Sequence, residues 1–211
     1  RVLDNLAVAK ANVILIARAE HILQESALFA SLRRDYGAHI VEIDAVTEGT
    51  ACTVLAAAEL INNAAPLLIA NSDQLVDCKM EEFIEDCFQR KLDGSILVFE
   101  DELGDPKWSF AQTDDHGRVL RVREKEVISS LATVGIYFYA QGCDFVSAAH
   151  AMIEANERVN GEFYVAPTYN YMIAAGKAIG VFKIPPHSMF GLGTPEDLAH
   201  YLATSKHAIT V

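Results

Sequence analysis

The stretch PLLIANSDQLVD, Pro66 to Asp77, decides the fold. Leu67 to Ala70 are uniformly apolar and read as a central strand buried on both faces. Asn71, Ser72 and Asp73 then follow in a row. A carboxylate with polar neighbours directly after a buried strand needs a reason, and the reason depends on what lies on either side.

Outward from Pro66 the chain alternates. NVILIA (Asn12–Ala17) reads as a continuous apolar strand. From His21 to Tyr36 the apolar residues recur at helical spacing, and Gly37 stops that helix. AHIVEI (Ala38–Ile43) predicts a second strand, TVLAAAELI (Thr53–Ile61) a helix, Lys79–Arg90 another helix and SILVFE (Ser95–Glu100) another strand. This β-α-β-α-β-α-β rhythm predicts a parallel sheet covered by helices on both faces. The second half changes character. Trp108–Asp114 and Arg118–Glu124, joined by the turn DDHG, predict a hairpin. A strand at Thr133–Ala140 and helices at Cys143–Ala155 and Thr168–Ala175 follow, then a strand at Ala178–Ile184. A last helix starts with Thr194 as N-cap, Pro195 next and Asp197 three after the cap. No repeat or linker interrupts residues 1–211, so they read as one domain, of α/β class with a mixed sheet.

Composition narrows the function. The net charge of −12 argues against nucleic acid or an anionic membrane as partner, since both reward Lys and Arg. No apolar run approaches the roughly 20 residues that span a bilayer, and the opening RVLDNLAVAK reads as a short amphipathic helix rather than a signal peptide. Cys52, Cys78, Cys87 and Cys143 form no CxxC pair and read as buried reduced thiols, which favours the cytoplasm.

Ligands of open α/β sheets bind beyond the carboxyl ends of the strands. Asp73 sits there. It either caps the next turn or holds a hard cation such as Mg2+, which takes one or two carboxylates and fills its shell with phosphate oxygens and water. TEGTACTVL, from Thr47, puts Glu48, Gly49 and Thr50 in a loop that enters a helix. The loop is either an ordinary cap or a seat for a polar ligand, with glycine letting a flat ring lie on the backbone.

Five segments, TEGTACTVL, PLLIANSDQLVD, ATVGIYFYA, NGEFYVAPTYN and GLGTPEDL, stand in this order. Together they resemble the bacterial sugar-phosphate nucleotidyltransferases, the nucleoside-diphosphate-sugar pyrophosphorylases among them, which make nucleotide sugars for surface polysaccharides. The resemblance covers nearly the whole chain. It implies the nucleotide-diphospho-sugar transferase fold, a three-layer Rossmann-like mixed sheet. It also implies a nucleoside triphosphate and a sugar phosphate as substrates, Mg2+ as cofactor, and a homodimer or homotetramer.

Residue by residue, the resemblance makes Asp73 the Mg2+ ligand and Asn71 the shaper of its turn. Glu48, Gly49 and Thr50 become the nucleobase loop. Glu124 and Lys125, in REKE, become the pair that meets the sugar phosphate, although alone they read as a solvated strand end. Gly135 becomes the strand glycine under the sugar, and Glu162, in NGEF, a ligand of sugar hydroxyls. Trp108 would border the sugar or pack in the core. Two departures stand out. Gly191 falls where the relatives carry a second metal-binding Asp, which leaves the substrate phosphates or another carboxylate such as Asp77 to help. The strand, Gly-rich loop, Arg and Lys that wrap the triphosphate in the relatives have no counterpart before Arg1. Asp73 and Lys125 are the expected catalytic residues, aligning an acceptor phosphate on the α-phosphorus. A metal-dependent glycosyltransferase of similar fold and a non-catalytic nucleotide-sugar-binding subunit are the competing readings.

Overall fold

The computed structural model describes residues 1–205. Helix α1 (Val2–Asn5) leads to strand β1 (Ile14–Arg18), helices α2 (Ala19–Gln24) and α3 (Ser26–Tyr36), and strand β2 (His39–Ile43). Next come α4 (Thr50–Leu55), α5 (Ala58–Ile61), β3 (Leu67–Ala70), β4 (Gln74–Val76), α6 (Met80–Gln89) and β5 (Gly94–Glu100). The second half holds β6 (Ser109–Thr113), β7 (Val119–Glu124), β8 (Leu131–Tyr139), α7 (Gly142–Glu154), α8 (Thr168–Ala174), β9 (Ile179–Ile184), β10 (Met189–Gly191) and α9 (Pro195–Ser205).

Strand β8 organises the sheet. Along one edge it pairs antiparallel with β5, which pairs parallel with β9. On the other edge β3 pairs with its C-terminal half and β6 with its start, and β7 lies outside β6. Side chains of a strand alternate between faces, and β8 uses both. Val134, Ile136 and Phe138 join Met80, Phe83 and Cys87 of α6 in one core. Tyr137 and Tyr139 join Phe145 and Met152 of α7 and Tyr169 of α8 in the other. Helices therefore cover both faces of a mixed sheet, as the sequence predicts. Phe83 is 0% exposed and packs edge-on against Phe138 and Phe182. Phe83→Ala should cost about 3–5 kcal/mol of stability, and a urea unfolding free energy lowered by less than a third of that would place Phe83 outside the tightly packed core.

Several expectations need correction. The four parallel strands expected of the first half do not form one ladder. Strands β1 and β2 pair parallel but stay separate from the main sheet, and β3 finds an antiparallel partner in β8. Hydrophobic runs report burial, not partner, and the partner comes from the other half of the chain. The residues of β3 are half-buried rather than fully buried. The expected helix from His21 breaks at Glu25 (φ −108°, ψ 37°), and the one expected from Thr53 begins at Thr50 and breaks at Ala56 and Ala57. Only Cys87 of the four free cysteines is buried. Burial pushes its thiol up to about 12 and that of Cys78 to about 11, so neither is primed for nucleophilic chemistry.

Two short strands escape the sequence reading. β4 and β10 pair antiparallel, bringing Gln74 opposite Gly191. The Asn5 side chain brackets the other edge of β4, donating to Val76 O at 2.7 Å and accepting from Val76 N at 2.9 Å. Asn170 does the same for β7, accepting from Val122 N at 2.8 Å and donating to Val122 O at 2.9 Å.

Candidate functional site

Asp73 lies exposed in the turn between β3 and β4. Its carbonyl accepts Leu192 N at 2.7 Å, which ties the turn to the GLGT segment. A Cβ on Gly193 would stand 3.0 Å from Asp73 Oδ2, whereas one on Gly191 would make ordinary contact, 3.7 Å from Asp197 Oδ2. The side-chain space at Gly191 thus opens on the carboxylate of Asp197. That residue also accepts from Thr194 Oγ1 at 2.8 Å, while Asp197 N donates back to Thr194 Oγ1 at 3.1 Å, which is the expected helix cap. Asp77 lies elsewhere. It lines a separate cleft with Asp4, Asn5 and Cys78, on the far side of β4 from Asp73, roughly 13 Å along the chain at strand rise. Among the described residues no group of three or more His, Cys, Asp or Glu could hold a metal ion. Asp73 and Asp197 each lie beside a glycine of GLGT, and a carboxylate is the hard oxygen donor that Mg2+ takes alongside phosphates and waters.

Beside Asp73, Asn71 N donates to Gly135 O at 3.2 Å. Gly135 has φ +83° and sits in a bulge of β8, where the pairing with β5 slips between Ile96 and Val98. A Cβ there would meet Asn71 Nδ2 at 2.6 Å and Gln74 Nε2 at 2.9 Å. Glycine is required for both reasons, conformation and space. Gln74 Nε2 is buried without a partner at this spot.

A second group stands where β7 ends. Lys125 has φ +55° and donates from its backbone N to Trp108 O at 3.0 Å. Its ammonium donates to Tyr164 OH at 2.7 Å and lies 4.6 Å from that ring's centroid. The Tyr164 bond, with the charges of Glu124 and Glu162 adding, holds the ammonium above its ordinary pKa, so it stays charged. Burial pushes the Glu124 carboxyl up, against a hydrogen bond from Ser109 Oγ. A cavity of ≈ 400 Å³ opens here, lined by Glu124, Lys125, Arg123, Arg158 and Asn160 among others. Trp108 packs edge-on against Phe99 at 5.5 Å, beside the core.

The third group is a docked pair of segments. Phe163 N donates to Glu48 O at 2.8 Å, Ala51 N to Phe163 O at 3.0 Å and Val165 N to Thr50 Oγ1 at 3.3 Å. Gly49 has φ +128°, and a Cβ there would come within 2.5 Å of Phe163 N and closer still to its carbonyl oxygen. Arg158 rivets the pair: it donates to Glu48 Oε2 and to Gly161 O at 2.9 Å, and lies 4.0 Å over the Phe163 ring. One side of Gly49 is therefore filled by protein backbone.

The sequence reading named the strand-end residues but missed Ser109, Tyr164, Arg158 and Asp197. Tyr164 and Arg158 act through partners far away in the chain, for which spacing gives no signal, whereas Ser109 lies across the hairpin from Glu124 and Asp197 three residues after Thr194.

A three-layer mixed sheet with polar groups gathered at its strand ends and hairpin is the nucleotide-diphospho-sugar transferase fold. The nucleoside-diphosphate-sugar pyrophosphorylase from Vibrio cholerae RC9 has the same fold, with TM-score 0.76 at 24% identity over 92% of this chain and 82% of that one. The inositol-1-phosphate CTP transferase from T. maritima aligns with TM-score 0.67 at 13% identity, over 92% and 75%. No curated protein sequence matches the chain. The family model described as Nucleotidyl transferase matches residues 2–178. The chain belongs to that family and is a nucleotidyltransferase.

Proposed function

We propose that this nucleotidyltransferase joins a nucleoside triphosphate to a sugar 1-phosphate, giving a nucleotide sugar and pyrophosphate. The observation that carries the proposal is the Lys125 cluster: a cation locked by Tyr164, flanked by Glu124 and Glu162, beside a cavity large enough for a sugar. The acceptor phosphate is already ionised, so no strong base is needed. One of its oxygens bonds to the α-phosphorus as the bond from that phosphorus to the bridging oxygen breaks, and pyrophosphate leaves. Lys125 neutralises the acceptor phosphate, and Glu124 and Glu162 orient its hydroxyls. Gly135 seats the side chains of Asn71 and Gln74 against β8, and a sugar would lie over that surface. With the Glu48 and Thr50 side chains bonded to Arg158 and Val165 N, their loop would meet the base through its open backbone edge, and Asn71 keeps the adjoining turn in shape. Asp73 and Asp197 would hold Mg2+, which when bound offsets the charge of the phosphates. The resemblance extends the proposal to synthesis of surface polysaccharide precursors by a homodimer or homotetramer, and the free cysteines extend it to the cytoplasm. Among the described residues no helix is long and apolar enough to cross a membrane.

We infer also that a further strand and phosphate-binding loop complete the site. The apolar strands β1 and β3 are half-buried, and among the described residues each is paired along one edge only. The test is pyrophosphate release from CTP, UTP, dTTP or GTP with glucose 1-phosphate and Mg2+, by the chain and by a version extended upstream. No release from either would sink the proposal. Lys125→Ala should weaken glucose 1-phosphate binding about tenfold or more, since a charge-assisted contact is worth roughly 1.5–3 kcal/mol, and leave triphosphate binding within about twofold. Equal losses in calorimetry would reduce Lys125 to a surface charge.

A further inference from the structure

Glu124 is held from inside the protein by one buried hydroxyl, with a bonded pair of buried hydroxyls behind it. Ser109 on β6 is its cross-strand partner on β7 and is 7% exposed. The Ser109 hydroxyl bonds Glu124 Oε2. Behind it stands Tyr137 of β8, 6% exposed, whose phenol lies 3.1 Å from Thr133 Oγ1; Thr133 is 3% exposed.

These strands do not need polar residues for packing. Their neighbours at equal depth are Phe110, Ala111, Val134 and Ile136. A buried hydroxyl costs free energy unless it is bonded, so a buried serine placed on a carboxylate, with two more hydroxyls behind it, calls for a reason at that carboxylate. The proton directions supply one. An ionised carboxylate only accepts, so Ser109 must donate to Glu124. The Ser109 oxygen keeps its lone pairs toward the Tyr137 phenol, which is itself bonded to Thr133. Oε2 is pinned, while Oε1 has no hydrogen bond among the described residues. We propose that Ser109, backed by Tyr137 and Thr133, is a positioning residue that pins one oxygen of Glu124 and thereby aims the other at a hydroxyl of the acceptor.

The aim at an acceptor rests on the function proposed above; the pinning does not. The groups facing Glu124 are Ser109 from β6, Lys125 beside it on β7, Tyr137 from β8 and Glu162 from the segment opposite. Burial and Glu162 favour its neutral form, while Ser109 and Lys125 favour the charged one. Removing the Ser109 hydroxyl leaves Lys125 as the group that opposes burial.

The test is a carbon-13 NMR titration of glutamate carboxyls, with the Glu124 signal assigned by Glu124→Gln, alongside calorimetry with glucose 1-phosphate. Ser109→Ala should move the Glu124 midpoint up by about one pH unit, Tyr137→Phe should move it up by less, and Ser109→Thr should hold it near the parent value. Glucose 1-phosphate affinity in Ser109→Ala should fall more at pH 6 than at pH 8. A merely structural hydroxyl would lower the melting temperature and leave the titration in place. If the midpoint moves but neither parent nor variant binds glucose 1-phosphate at any pH, the acceptor reading fails and the pinning stands. A midpoint that stays put in folded Ser109→Ala and Tyr137→Phe overturns the pinning, whatever the acceptor does.

Discussion

Asp73→Asn should abolish Mg2+-dependent nucleotide binding without changing the melting temperature of the free protein. The side chain is exposed in a turn held by its own carbonyl, through Leu192 N, so the amide can replace the carboxylate without touching the fold. What changes is charge. A protein already at −12 brings a triphosphate of about four negative charges to this site only with a cation between them. Even outer-shell changes at metal sites cost roughly 10–100-fold in metal affinity, so loss of a direct carboxylate ligand should exceed that range. Calorimetry with CTP, UTP, dTTP and GTP, with and without Mg2+, checks the prediction. Equal affinities for parent and variant in the presence of Mg2+ would remove Asp73 from the site.

Gly49→Ala should be the most damaging single methyl in the loop. The residue has φ +128°, which side chains rarely adopt, and the added carbon would overlap the Phe163 backbone. The conformation alone costs about 1–3 kcal/mol. The overlap must also push Glu48–Thr50 off Phe163, breaking the bonds at Glu48 O and Ala51 N. A melting temperature lowered by several degrees and joint weakening of triphosphate and sugar-phosphate binding are expected, because the two segments move together. Loss of one affinity alone would show that they are independent.

The layer order, the helix stop at Gly37, the hairpin through Gly117 and the last helix cap were all legible, since each depends on residues close in sequence. The placing of β3 against β8 was not, because an apolar run pairs as well with one buried strand as with another. Asp73 could be picked from its strand end alone. Lys125 could not: REKE reads as solvated charge until Tyr164, thirty-nine residues on, receives its ammonium. The role of Gly49 was misjudged for a similar reason. A glycine before a helix suggests room for a ligand, yet the room on its side-chain face is taken by Phe163, which no local pattern brings there.

Asn5 and Asn170 bear on how this protein behaves in a crowd. Each lays both ends of its amide against one outer-strand residue, Val76 or Val122, and so imitates the peptide group of an absent neighbour. An outer strand with open N–H and C=O groups recruits strands from other molecules. A side-chain amide already seated there denies the recruit its first pair of bonds and offers nothing beyond itself to extend the sheet. Aspartate at either position would keep the acceptor, lose the donor and set a negative charge against a carbonyl oxygen. Such variants would retain the fold while becoming prone to stick to one another through those two strands.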